Sequence, residues 1–117
     1  EFRRVLFRSV SGGQRQRLSI ARALIRKPDV YVFDDSFSAL DFKTDAKLRR
    51  MLKKETGNAI VMVVAQRISS IMDADQIIVL NEGSIVGTGT HKELLNNCRI
   101  YREIALSQLS EEELSRA

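Results

Sequence analysis

Strand-length apolar runs separated by segments of helical period predict an α/β layered domain. Two runs carry that reading. Val30-Tyr31-Val32-Phe33 and Ala59-Ile60-Val61-Met62-Val63-Val64-Ala65 are unbroken, as parallel strands covered on both faces are. Between them, from Asp41 to Lys54, the apolar residues Ala46, Leu48, Met51 and Leu52 return at helical spacing. A content of 44% hydrophobic and 29% charged residues is the balance of a globular domain.

Taken in order, the first element is a helix from Gln14 to Arg26, marked by Leu18, Ala21, Ala23, Leu24 and Ile25 and stopped by Pro28. The strand Val30–Phe33 runs into Asp34-Asp35. The helix Asp41–Lys54 closes at Thr56-Gly57-Asn58, and the strand Ala59–Ala65 follows. Ile68 to Met72 reads as a short helix and Gln76 to Leu80 as a third parallel strand. Asn81-Glu82-Gly83 turns the chain back into Ser84–Val86 as a hairpin. Thr90 and Glu93 have the spacing of a capping box opening a helix through Leu94 and Leu95. Three parallel strands and a hairpin enclose little core, so the segment is expected to belong to a larger domain and to expose apolar surface by itself.

Composition narrows the function. No apolar run approaches the roughly 18 residues of a membrane span. The single cysteine, Cys98, cannot form an internal disulfide, and no secretory segment precedes the domain, which points to a reducing cytosolic setting. Arg3, Arg4 and Arg8 against Glu1 account for half of the net charge of +4. No basic stripe is interleaved with aromatics, so nucleic acid is not expected as a partner.

Two clusters carry chemistry. Ser11-Gly12-Gly13-Gln14 stands just before the first helix, where glycines allow close backbone approach and the helix start presents unpaired N–H groups and a positive dipole end to an anion such as phosphate. The same residues are also an ordinary serine cap. Asp34 ends a strand, where open α/β sheets bind ligands, and its carboxylate could hold Mg²⁺. Asp34 and Asp35 could equally cap the following helix, and they cannot form a symmetric dyad unless the strand ends between them.

The order and spacing of Ser11-Gly12-Gly13-Gln14-Arg15-Gln16-Arg17, Lys27 to Asp35, and Ser38-Ala39-Leu40-Asp41 resemble the signature, Walker B and D-loop of ABC ATPases. Val64-Ala65-Gln66-Arg67 is similar to the switch loop, and Val86 to Leu95 resembles the C-terminal hairpin and helix of exporter-type members. The resemblance runs from residue 10 to 108. It implies the C-terminal portion of a P-loop NTPase-like parallel sheet with flanking helices, ending in a β-hairpin and helices. It also implies ATP and Mg²⁺ as cofactors and transport-coupled ATP hydrolysis in the full-length protein. By the same resemblance Ser11, Gly12, Gly13 and Gln14 clamp the γ-phosphate of ATP held by a second nucleotide-binding domain in a head-to-tail dimer. Asp34 is the implied magnesium residue, Asp35 and Gln66 the catalytic positions, and Asp41 the D-loop residue that reaches across the dimer or serves as a plain N-cap. A transmembrane domain on the same or a partner chain would place the assembly at the cytoplasmic face of the cell membrane.

Three departures qualify the match. The Walker A pattern G-x-x-x-x-G-K-[ST] does not occur, so the chain by itself is expected to be inactive. Asp35 stands where the family has a glutamate; it is shorter by roughly 1.5 Å, and a misplacement of about 1 Å can cost on the order of 100-fold in rate. Gln66 replaces the switch histidine and cannot become cationic near neutral pH. Together these changes resemble the degenerate half of a heterodimeric exporter.

Residues 1–9 fit no part of that pattern, and Val5-Leu6-Phe7-Arg8-Ser9 resembles a translated sequencing-adapter segment. Residues 109–117 read as a charged tail. His91 is expected to be a first-turn helix residue rather than a ligand, Phe37 to pack locally and Cys98 to be inert. An SMC-type chromosome or DNA-repair ATPase is the alternative from another class, weakened by the stretch from Val64 to Leu95. A non-catalytic interaction module is the third.

Overall fold

A computed structural model describes residues 11–110. The expectations for residues 1–9 and for the tail beyond residue 110 lie outside them. The chain divides into two units, Glu1–Ala65 and Gln66–Ala117.

In the first unit, α1 (Gly12–Ile25), β1 (Val30–Asp34), α2 (Phe42–Glu55) and β2 (Ile60–Val64) follow one another. The two strands pair in parallel, Val30 opposite Ile60 and Asp34 opposite Val64. Ser11 caps α1 through a capping box with Gln14, and Arg26 ends it one residue before Lys27 takes a positive φ of 46°. Ile20 of α1 and Leu52 of α2 pack on Tyr31, Phe33, Phe37 and Leu40, with Leu24, Leu48 and Val63 beside them. Phe37 sits edge-on to Phe33 at 5.7 Å, the local packing expected of it.

Coverage of the strands differs from the sequence expectation. Tyr31 and Phe33 are buried, whereas Val30, Val32, Ile60, Met62 and Val64 on the opposite face of the ladder are exposed. Apolar composition marks a strand face as suited to burial, but only an element packed on it buries it, and α1 and α2 supply the core residues of one face.

The second unit contains α3 (Ile68–Ile71), β3 (Ile77–Asn81), β4 (Ser84–Gly89), α4 (His91–Asn97) and α5 (Arg99–Gln108). Here the expectation of a third parallel strand is corrected: among the described residues β3 pairs with β4 alone, antiparallel, with an irregularity between Val79 and Leu80. A continuous apolar run suits a buried strand of either sense, and a two-residue turn forces the antiparallel one. Asn81 pairs with Ser84, so the loop is Glu82-Gly83, and both residues have positive φ, 48° and 77°, as a primed hairpin turn requires. Strand β4 runs past Val86 to Gly89. Gly87 belongs to it because a Cβ there would lie 2.9 Å from Cys98 Sγ and 3.0 Å from Leu94 Cδ2, leaving no room for a side chain.

Thr90 and Glu93 form the anticipated capping box of α4. Cys98 bridges α4 to α5, and Arg102 closes the junction by donating from Nε to Leu95 O and from Nη2 to Asn96 O, two carbonyls at the end of α4. Leu94, Cys98, Tyr101, Ala105 and Leu109 pack with Ile68, Ile77 and Val79 as this unit's core. No helix among the described residues is long and apolar enough to cross a membrane.

Candidate functional site

At the start of α1 the Ser11 hydroxyl accepts from Gln14 N–H at 3.2 Å while Gln14 Oε1 accepts from Ser11 N–H at 2.9 Å. Ser11 is therefore a cap, as its residue type allows. The cap uses one first-turn amide; those of Gly12 and Gly13 lie at the helix start without intrahelical acceptors. Close packing explains the second glycine: a Cβ on Gly13 would sit 3.2 Å from Ala39 O and 3.4 Å from Leu40 Cδ2. On Gly12 it would meet Ala39 Cβ at an ordinary 3.6 Å.

Strand β1 delivers Asp34 to its carboxyl end and stops there. Asp35 N–H still donates to Val64 O at 3.0 Å, but the residue has a φ of 50°, a left-handed conformation that Asp tolerates better than most residues. The alternation of a strand ends between the two aspartates. Both are exposed, and neither carboxylate has a hydrogen-bond or ion-pair partner among the described residues.

Asp41 is the N-cap of α2: its Oδ2 accepts from Thr44 N–H at 3.0 Å and its Oδ1 from Thr44 Oγ1 at 2.6 Å. The hydroxyl bond first, then the amide bond, holds this carboxyl below the ordinary carboxylate range. In the second unit Gln66 is exposed, and its carbonyl accepts from Gln108 Nε2 at 2.9 Å. Gln108 Oε1 accepts from Ile68 N–H at 2.9 Å, so one α5 side chain grips the backbone on both sides of Arg67.

Sequence reasoning missed a second clamp of this kind. Gln16, on the same face of α1 as Gly13 and Ile20, donates from Nε2 to Asp35 O at 3.1 Å and to Ser38 Oγ at 3.0 Å, while its Oε1 accepts from Ala39 N–H at 2.9 Å. The structure thus joins the start of α1 to the turn that bears Asp35. Nothing in the sequence around Gln16 signals this, because its partners lie 19 to 23 residues away.

His91 is also placed unexpectedly. It begins α4, as anticipated, but is buried, with Nδ1 2.7 Å from Tyr101 Oη and Nε2 without a partner among the described residues. Among the described residues no group of three or more His, Cys, Asp or Glu side chains could hold a metal ion.

This arrangement of strands and helices is that of an ABC ATPase segment. Residues 2–38 match the family of ABC transporters. Over 98 residues, 84% of the chain, it is 60% identical to an uncharacterized ABC transporter ATP-binding protein of Mycobacterium tuberculosis, of which it covers 17%. Over 101 residues, 86% of the chain, it is 46% identical to a Rickettsia typhi protein provisionally named an export ATP-binding/permease protein, of which it covers 18%. The solved structure of a bacterial Atm1-family ABC exporter with ATP bound superposes with a TM-score of 0.82 at 34% identity, covering 87% of this chain and 18% of the exporter. The chain matches a segment of exporter-like ABC transporter ATP-binding domains and spans less than a fifth of these relatives. The SMC alternative finds no support in them.

Proposed function

We propose that the chain carries the signature, Walker B, D-loop and switch loop of an exporter's ATP-binding domain and that the full-length protein couples ATP binding and hydrolysis to export. The observation that supports this most directly is the seating of the signature against the Walker B turn, through Gly13 on Ala39 and Gln16 on Asp35. The ATP bound in the related exporter structure supports ATP as the ligand.

In this reading Ser11, Gly12, Gly13 and Gln14 present the start of α1 to the γ-phosphate of ATP held by a second ABC domain, in a head-to-tail dimer. Helix-start amides and the positive dipole end stabilise the charge there without rearrangement during reaction. Asp34, exposed at a strand end with an unengaged carboxylate, fits Mg²⁺, which takes one or two carboxylates and completes its shell with phosphate oxygens and water. The ion would neutralise developing phosphate charge. Asp35 would orient the attacking water and Gln66 would hydrogen-bond phosphate as a neutral donor. The short carboxylate and the uncharged glutamine make this subunit's own site the slow one of a heterodimer, attached to a transmembrane domain at the cytoplasmic face of the membrane.

The test is ATPase activity of the full-length pair carrying Asp35→Asn or Gly12→Asp. A Cβ at position 12 has room in the fold, so Gly12→Asp reports on phosphate binding. It is expected to lower turnover on the order of 100-fold or more, the cost of losing a charge-stabilising contact, whereas Asp35→Asn lowers it only slightly. Equal, complete losses would make Asp35 a working catalytic carboxylate and end the degenerate-site reading. A wild-type pair without ATPase activity would end the functional reading as a whole.

A further inference from the structure

The turn from Asp35 to Ala39 belongs to no helix or strand, and it contains a residue with a φ of 50°. Its ties include Ser36 Oγ donating to Asp34 O at 3.4 Å, Ser38 Oγ donating to Asp35 O at 3.1 Å, Ser38 N–H reaching the same carbonyl at 3.5 Å, and Leu40 N–H donating to Phe37 O at 3.1 Å. Phe37 anchors it to the core below. On the other side the Gln16 side chain holds its two ends, since its amide engages Asp35 O, Ser38 Oγ and Ala39 N–H together. Both ends of the amide are used, one as donor and one as acceptor. Among the ordinary side chains only Gln and Asn carry two N–H donors beside a carbonyl acceptor, and Asn is shorter by one methylene.

We propose that Gln16 is a positioning residue that locks the Asp35–Ala39 turn to the start of α1, so that the carboxylate facing one nucleotide and the signature facing the other move as one body. The assignment of the two nucleotides rests on the function proposed above; the lock itself rests on the bonds. Gln16 touches no phosphate in this scheme. It acts by fixing the angle at which Asp35 leaves β1 and the distance between Asp35 and Gly12–Gly13, which themselves seat closely on Ala39. Movement of the signature on nucleotide binding would then be transmitted to Asp35, and the two composite sites would be coupled through one side chain.

Two variants separate the contributions. Gln16→Leu removes all of the bonds, while Gln16→Glu keeps the acceptor for Ala39 N–H and removes the donor to Asp35 O and Ser38 Oγ. In the full-length transporter, kcat and KM for ATP are measured beside hydrogen exchange of the Ala39 amide. Gln16→Leu is expected to lower kcat roughly tenfold or more through displacement of the signature that serves the partner's faster site, rather than through Asp35, whose own site is slow, with KM within about threefold, since no phosphate-contacting group is removed. Exchange at Ala39 should speed up in Gln16→Leu and stay slow in Gln16→Glu, whose kcat falls between the two. Unchanged Ala39 exchange in Gln16→Leu, or an unchanged kcat, overturns the proposal. Should Gln16→Leu fail to fold, Gln16→Glu decides through kcat: a wild-type value overturns the lock. Absence of ATPase in the wild type would refute the functional reading, and Ala39 exchange would still decide whether Gln16 holds the turn.

Discussion

Replacing Tyr101 by Phe should destabilise the second unit through one ring nitrogen. Tyr101 is 2% exposed and His91 5%, and their rings meet edge to face at 5.6 Å. Burial pushes the phenol up to about 12, so it stays protonated through the working range. Among the described residues its oxygen is the partner of His91 Nδ1, and Nε2 has none. Tyr101→Phe therefore leaves both nitrogens of a buried imidazole unsatisfied, at a cost of about 1–3 kcal/mol. His91→Leu strands the phenol but removes the orphan Nε2, and should cost less. The double variant removes both partners and should be more stable than the sum of the singles by about 1 kcal/mol, a coupling that additivity of independent sites forbids. The pH dependence has a definite sign. Desolvation lowers His91 from its ordinary 6.5, with the charge of Asp73 acting the other way. The unfolded chain thus binds the proton more readily. Stability is full above pH 6.5 and is lost as pH falls from there through the folded value. His91 is the sole histidine, so His91→Leu should flatten that decline. Urea unfolding between pH 7.5 and 5.5, followed by hydrogen exchange of the second unit's amides, measures both effects. Additive single variants would show that the hydrogen bond contributes nothing, and a pH decline surviving in His91→Leu would show that another group titrates.

Gly87→Ala must displace Cys98 and Leu94 from contacts of 2.9 to 3.2 Å and should cost about 1–3 kcal/mol by overpacking. Gly83→Ala meets nothing within 4 Å and carries only the strain of φ 77°, about 1–2 kcal/mol; chemical denaturation checks both, and an absent effect of Gly87→Ala would contradict the packing there. Calorimetric titration of the present chain with Mg·ATP should be flat, because it contains no phosphate-cradling loop with its lysine. A low-micromolar dissociation constant would refute that.

The sequence by itself determined the element order as far as α4, the caps at Ser11 and Thr90, and the motif spacing, because each is written in residues three or four apart or in one unbroken run. Period and cap chemistry are local, and local rules read them. Gln16's reach to Asp35, Gln108's grip on Gln66 O and Ile68 N–H, and the burial of His91 against Tyr101 were decided only by tertiary structure. A glutamine in a helix looks the same whether it faces water or bridges two loops, and a histidine after a capping threonine looks like any first-turn residue. The same limit explains β3: its apolar run announced a strand, but the sense of pairing came from Glu82-Gly83 folding β4 back onto it. It explains the bare face of β1 and β2 as well, since side-chain type sets what a surface can bury and only the placement of a neighbour buries it.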